Sequence, residues 1–315
     1  MRVATVPRRA ASAGEVVTRL KRRVASRPRV ESMRFDLGTF RFQASTDVPA
    51  IARRLASLMR PDDGCDGCPG VAGYMIRKIP LGFELERDGA RILRARAIEP
   101  VIDRLIVDVT RRAVDVSPHV CVHAGVVSSE GRGVLIAGDP GAGKSTLTTA
   151  LVRAGFDYLS DEVAALDVER PRVHPVHRPI VLERAARGSF PELGERAGPG
   201  RLHVAPDEIR SGSIGGPCDV RLIVLRRFVP DRPTELRRLS RAEAVLALGR
   251  NVFQLDRLGE RGVRALARVA GEAPAMEIVG GELRRAVASI EGLLADATGD
   301  DVRTTPTPAT PARRT

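Results

Sequence analysis

The chain lacks tryptophan altogether and carries only two tyrosines and eight phenylalanines in 315 residues. With so few rings, Val, Leu, Ile and Ala must fill the core, which suits strands and helices packed in layers as an α/β protein. No apolar run approaches the roughly 18 residues that cross a bilayer, and no apolar segment follows the basic start as it would in a secretory signal. A cytoplasmic protein without a membrane partner is the expectation. The cysteines are few: Cys65, Cys68, Cys121 and Cys218. Only Cys65-Asp66-Gly67-Cys68 has pair spacing, and the second Cys-x-x-Cys that a four-ligand zinc site would take from such motifs is missing. The pair reads as a surface loop with two thiols, half of a metal site or a redox couple being the alternatives. A basic groove with interleaved aromatics is also lacking. The net charge of +12 is concentrated in residues 1–34, whose ten Arg or Lys and two Glu give +8. The expectation is a solvated basic leader and no nucleic-acid partner.

What is present centres on Gly138-Asp139-Pro140-Gly141-Ala142-Gly143-Lys144-Ser145, followed by Thr146. The apolar run 133–137 before it has the character of a buried strand, and 144–154 is compatible with a helix that Gly155 would cap. At such a junction glycines let the backbone curl so that N–H groups converge on phosphate oxygens, and the helix N-terminus adds partial positive charge. Lys144 would reach the β- and γ-phosphates and Ser145 would give its hydroxyl to Mg²⁺. ATP and Mg²⁺ are therefore the expected cofactors.

Around this motif the pattern divides the chain into a leader (1–30), a small α+β module (31–95), a catalytic domain (96–296) and a disordered Thr/Pro tail (297–315). Residues 33–37 and 39–43 alternate apolar and polar about Gly38, as in a hairpin or two edge strands. Ser45-Thr46-Asp47 offers a helix cap ahead of Pro49, Ile51, Leu55 and Leu58. Strands are expected at 74–79 and 83–87, the second ending in the Asp88-Gly89 turn, then a helix over 97–115 and a strand over 120–127. Residues 156–162 read as a short strand ending in Asp161-Glu162, with 163–168 as its hairpin partner. Further strands are expected at 179–182 and 220–225, the latter central. The Gly- and Pro-rich 187–219 between them reads equally as a substrate-facing loop or a solvent excursion. Helices at about 240–250, 260–270 and 281–296 close the domain.

A phosphate loop does not name a reaction. Phosphorylating a hydroxyl takes a base for its proton and a metal for the charge on the phosphoryl oxygens. Asp161 is the expected base, Glu162 the metal carboxylate with Asp161 beside it, and His123 a group that orients or tunes Asp161. His123-Ala124-Gly125, the loop, and Tyr158-Leu159-Ser160-Asp161-Glu162 together resemble the catalytic domain of HPr kinase/phosphorylase, closely over 120–166 and loosely to 295. The resemblance implies a fold shared with phosphoenolpyruvate carboxykinase, catalytic roles for His123, Lys144 and Asp161, and transfer to a serine hydroxyl. The family has an Asp-Asp pair where this chain has Asp161-Glu162, and its Glu-x-Arg-Gly-x-Gly stretch is not recognisable here. With His177-Arg178-Pro179-Ile180, the whole chain is more similar to HPr-kinase-related kinases of peptide natural-product pathways, including those acting on lasso-peptide precursors. Arg178 is a second-tier nucleotide contact on this reading. The partner is then a peptide or small protein, with homo-oligomerisation open. A small-molecule kinase for an amino acid or sugar, and a nucleotide sensor without transfer, are the alternatives.

Overall fold

The computed structural model describes residues 30–62, 72–194 and 200–301. The basic leader, the Cys65/Cys68 pair and most of the Thr/Pro tail lie outside the described residues. Among the described residues the architecture is mixed α/β with three sheets. Among the described residues no helix is long and apolar enough to cross a membrane.

The first sheet holds five strands in sequence order. β1 (Glu31–Asp36) and β2 (Arg41–Thr46) form a hairpin, one of the two arrangements expected, with Glu31 opposite Thr46. Helix α1 (Pro49–Leu58) returns the chain to β3 (Ala72–Ile79), which lies parallel to β2. β4 (Gly82–Arg87) and β5 (Ala90–Ala95) add antiparallel strands. The sequence gives no sign of β5, because no residue of this edge strand is buried and no apolar alternation is needed. The expected cap at residues 45–47 is also different. Val48 is the N-cap, Thr46 Oγ1 accepts the Val48 N–H and Asp47 accepts the Lys78 N–H, so both side chains are committed elsewhere.

Helix α2 (Glu99–Val116) buries Ile102, Leu105, Val109 and Ala113 on one face, the period expected of it. It packs with the first sheet around Phe35, Phe42 and Tyr74, whose rings stand 5.2 Å and 5.7 Å apart in sequence, so the scarce aromatics concentrate in this core. Cys121, Val163 and Ala165 of the second sheet belong to the same cluster, which joins the module to the larger sheet.

The second sheet begins with the hairpin β6 (Val120–Ser129) and β7 (Arg132–Ala137), and α3 (Lys144–Arg153) follows the loop after β7. Gly125 of β6 permits this packing: a Cβ there would collide with Thr148 Oγ1 of α3. β8 (Asp157–Ser160) and β9 (Val163–Leu166) are not the hairpin expected from the sequence. Both lie antiparallel to β6, β8 against residues 126–128 and β9 against 120–123, as one strand interrupted at Asp161-Glu162. The two carboxylates stand at the interruption, where the pleat is broken and their side chains leave the regular alternation. β10 (Arg172–His174) pairs with β9, and a separate two-stranded ribbon joins β11 (Ile180–Leu182) to β12 (Leu202–Val204).

β13 (Cys218–Arg227) is the central strand anticipated, parallel to β7 on one side and to β15 (Ala275–Val279) on the other; β14 (Glu235–Leu239) is the edge. Helices α4 (Arg241–Gly249) and α5 (Leu255–Glu272) cover one face, while α3 and α6 (Leu283–Asp301) cover the other. Part of 187–219 is built into the protein. Tyr158 N donates to Ser213 O, Gly215 N donates to Tyr158 O and Ser213 is fully buried, so residues 213–215 are neither a free loop nor a solvent excursion.

Candidate functional site

The loop between β7 and α3 has the local geometry its glycines suggest. Gly141 and Gly143 adopt φ of 80° and 83°, and Gly143 is the N-cap of α3. Successive left-handed turns of this kind aim backbone N–H groups into one concavity. Gly138 has φ of 151°, and a Cβ there would collide with Arg226 O of β13, so the chain leaves β7 with no room for a side chain. Asp139 O accepts the Ala142 N–H at 3.0 Å and closes the turn through Pro140. Lys144 is only 7 % exposed, and its Nζ donates to Gly138 O at 2.8 Å and Asp139 O at 3.2 Å. Burial pulls its pKa down, while Glu162, Asp139 and Asp161 oppose that shift.

The interruption in the strand alongside β6 supplies the anionic side. Asp161 and Glu162 have opposite surroundings. Asp161 is 1 % exposed, takes the Val181 N–H on Oδ2 at 3.0 Å and lies 3.4 Å from Arg178 Nη1 through Oδ1. Burial pushes its pKa up, with Arg178 holding it down in part. Tyr158, fully buried, donates its hydroxyl to Arg178 O and holds that residue's backbone. Glu162, whose side chain is 37 % exposed, receives His123 Nε2 at 3.2 Å on Oε1 and Arg178 Nη1 at 3.1 Å on Oε2. Burial would raise its pKa, but the His123 hydrogen bond and the Arg178 charge outweigh it and hold it at about 2.

The structure places three of the expected residues differently. His123 pairs with Glu162 and not with Asp161, because β6 and β9 pair His123 with Val163, next to Glu162. Asp161, expected to face an incoming hydroxyl, is the buried partner of Arg178 and Val181, and Glu162 is the carboxylate with free surface. Arg178, read as a nucleotide contact, is 5 % exposed and bridges both acids.

His123, Pro140, Gly141, Gly143, Lys144, Ser145, Thr146, Asp161, Glu162 and Arg178 all line one cavity of about 1030 Å³. Its wall also includes Arg226, Phe228 and Phe253, which the sequence reading did not select. Arg226 stands at the carboxyl end of β13 beside the loop, 4 % exposed, with Nη1 and Nη2 donating to Ile278 O and Gly280 O and with no hydrogen bond at Nε among the described residues. Ligands of open parallel sheets gather at carboxyl strand ends, so the cation directly after the apolar run 222–225 was a usable signal. Phe253 is 5.8 Å from the His123 ring, placed by a backbone bond to Cys121 O that has no local sequence cue.

The arrangement brings a glycine-rich loop with left-handed turns, the cations Lys144, Arg178 and Arg226, and the Asp161-Glu162 carboxylates to the wall of one cavity. Ser145 hydroxyl and Glu162 carboxylate are hard oxygen donors that fit Mg²⁺, an ion that keeps several waters and takes few protein ligands.

No protein-family model and no curated protein matches the chain. Among solved structures, the chain is similar to the Hpr(Ser) kinase/phosphatase from Coxiella burnetii, at 17 % identity over 58 % of this chain and 98 % of that one. The TM-score is 0.31, too low for the likeness to carry an argument.

Proposed function

We propose that the protein is a nucleoside-triphosphate-dependent phosphotransferase acting on a hydroxyl, with ATP as donor and a serine of a peptide or small protein as acceptor. The supporting observation is that Lys144, Ser145 and Glu162 line a single cavity and that Glu162 is the one carboxylate of the pair with surface open to it. The loop amides from Gly141 to Ser145 receive the polyphosphate, and Lys144 exchanges its bonds to Gly138 O and Asp139 O for phosphate oxygens. Arg226, buried beside the loop, adds a second positive charge.

Ser145 and Glu162 would hold Mg²⁺, which neutralises charge on the transferring phosphoryl group. Glu162, steadied by His123, also takes the proton of the attacking hydroxyl. Its low pKa is tolerable because phosphoryl transfer proceeds through a loose transition state that asks little of a base. Asp161 anchors Arg178, which in turn fixes Glu162. A cavity of about 1030 Å³ is at the upper end for small-ligand pockets, leaving room beside a nucleotide for an acceptor side chain.

The test is transfer of labelled γ-phosphate from ATP with Mg²⁺ to a panel of serine peptides and of small alcohols such as sugars and amino acids. Labelling of a peptide by the wild type and its loss in Lys144→Ala supports the reading. Labelling of small alcohols alone moves the acceptor to a metabolite. Tight ATP binding with no transfer to either class overturns the enzyme reading in favour of a nucleotide sensor.

A further inference from the structure

We infer that His119, Asp167 and His174 form a binding site for a divalent transition-metal ion of the Zn²⁺ class, separate from the cavity described above. The three residues come from neighbouring strand ends: His119 immediately precedes β6, Asp167 immediately follows β9, and His174 ends β10. Register puts them on one face. Val120 pairs with Leu166 and Cys121 with Ala165, so His119 lies opposite Asp167; His174 pairs with Ala165, two residues from Asp167 and on the same side of the pleat. One ligand atom from each lies within 4.8 Å of the others, and the two imidazoles stack at 4.1 Å between centroids and 13° between planes.

The contacts of Asp167 and His174 are those of ligands more than of an ordinary ion pair. Asp167 Oδ1 accepts the Glu169 and Arg170 N–H groups at 2.7 Å and 3.1 Å, which fixes the carboxylate and leaves Oδ2 turned toward His174. His174 Nε2 stands 3.5 Å from that oxygen, is shielded from solvent and makes no hydrogen bond of ordinary geometry among the described residues. A separation of 3.5 Å is long for a hydrogen bond. It matches two donors on one tetrahedral ion, which at bond lengths of about 2.1 Å stand roughly 3.4 Å apart. To share one ion the set needs a closure of about 1.4 Å at most between donors, together with a rotation of the stacked imidazoles out of parallel so that both in-plane lone pairs meet at it. Two imidazoles and one carboxylate suit Zn²⁺, with a fourth position for water, and do not suit Mg²⁺ or Ca²⁺, which prefer all-oxygen sites. Bound there, the ion would tie β6, β9 and β10 together a few residues from His123 and Glu162.

The experiment is calorimetric titration of ZnCl₂ into the tag-free full chain after chelation, in a Cys65→Ser/Cys68→Ser background so that those thiols contribute nothing. One Zn²⁺ per chain is expected, with Mg²⁺ unable to compete. Asp167→Asn keeps an acceptor for the turn but loses the charged ligand, and should weaken binding about tenfold or more. His119→Ala/His174→Ala should abolish it, and His123→Ala should leave it unchanged. Absence of binding in the parent, equal affinity in Asp167→Asn, or loss in His123→Ala with retention in the His119/His174 variant, each overturns the assignment. Should the double variant fail to fold, the Asp167→Asn comparison decides alone.

Discussion

Arg178 Nη1 lies 3.1 Å from Glu162 Oε2, and the same nitrogen lies 3.4 Å from Asp161 Oδ1. One buried guanidinium thereby compensates a buried acid and orients an exposed one. Removing a single partner of such a buried pair leaves the other as an uncompensated charge, which costs about 3–5 kcal/mol.

Arg178→Met should accordingly destabilise the fold by about that amount in urea unfolding. The loss should be much smaller when Asp161→Asn is present, because the stranded charge is then gone. Equal losses in both backgrounds would mean that Asp161 does not depend on Arg178.

The two carboxylates should respond to pH in opposite senses. Glu162 has a folded pKa of about 2, below its ordinary 4.5, so its stabilising contribution is complete above 4.5 and disappears as pH falls toward 2. Asp161 has a raised folded pKa, so it contributes most when protonated, below its ordinary 3.8, and that contribution is lost as pH rises through the folded value. Chemical unfolding at a series of pH values should show Glu162→Gln losing less stability than wild type between pH 4.5 and 2. Asp161→Asn should remove the opposite trend. Parallel curves for all three proteins would contradict both assignments.

The loop glycines should separate by cause. Gly138→Ala places a Cβ against Arg226 O and must displace β7 or β13. Gly141→Ala meets nothing within 4 Å and pays only for its φ of 80°, about 1–2 kcal/mol. Thermal melting should therefore drop far more for Gly138→Ala, and equal drops would mean that the close approach to β13 is not what excludes a side chain.

Much of this was legible because local physics dictated it. The loop glycines, the apolar strand 133–137, the one-sided helix at 97–115 and the apolar run 220–225 carry their structure in their own residue pattern. What was not legible depends on pairing at long range. Residues 157–166 look like a hairpin, yet both halves pair with β6, because β6 offers an edge long enough for both. That choice turns His123 to Glu162 and buries Asp161, and neither consequence can be read from adjacent residues. Arg226 and Phe253 entered the cavity wall through β13 and a loop after α4, whose distances in sequence hide their proximity. Residues 211–217 look like a loop by composition, but Ser213 and Gly215 within them are held by backbone bonds to Tyr158.

The most direct test is the rate of γ-phosphate transfer from ATP with Mg²⁺ to an accepted serine peptide by Glu162→Gln, relative to wild type, at saturating nucleotide. The account predicts a fall of about 100-fold or more, since the substitution removes the proton acceptor and a proposed Mg²⁺ ligand together. A Glu162→Gln protein turning over at the wild-type rate would contradict it.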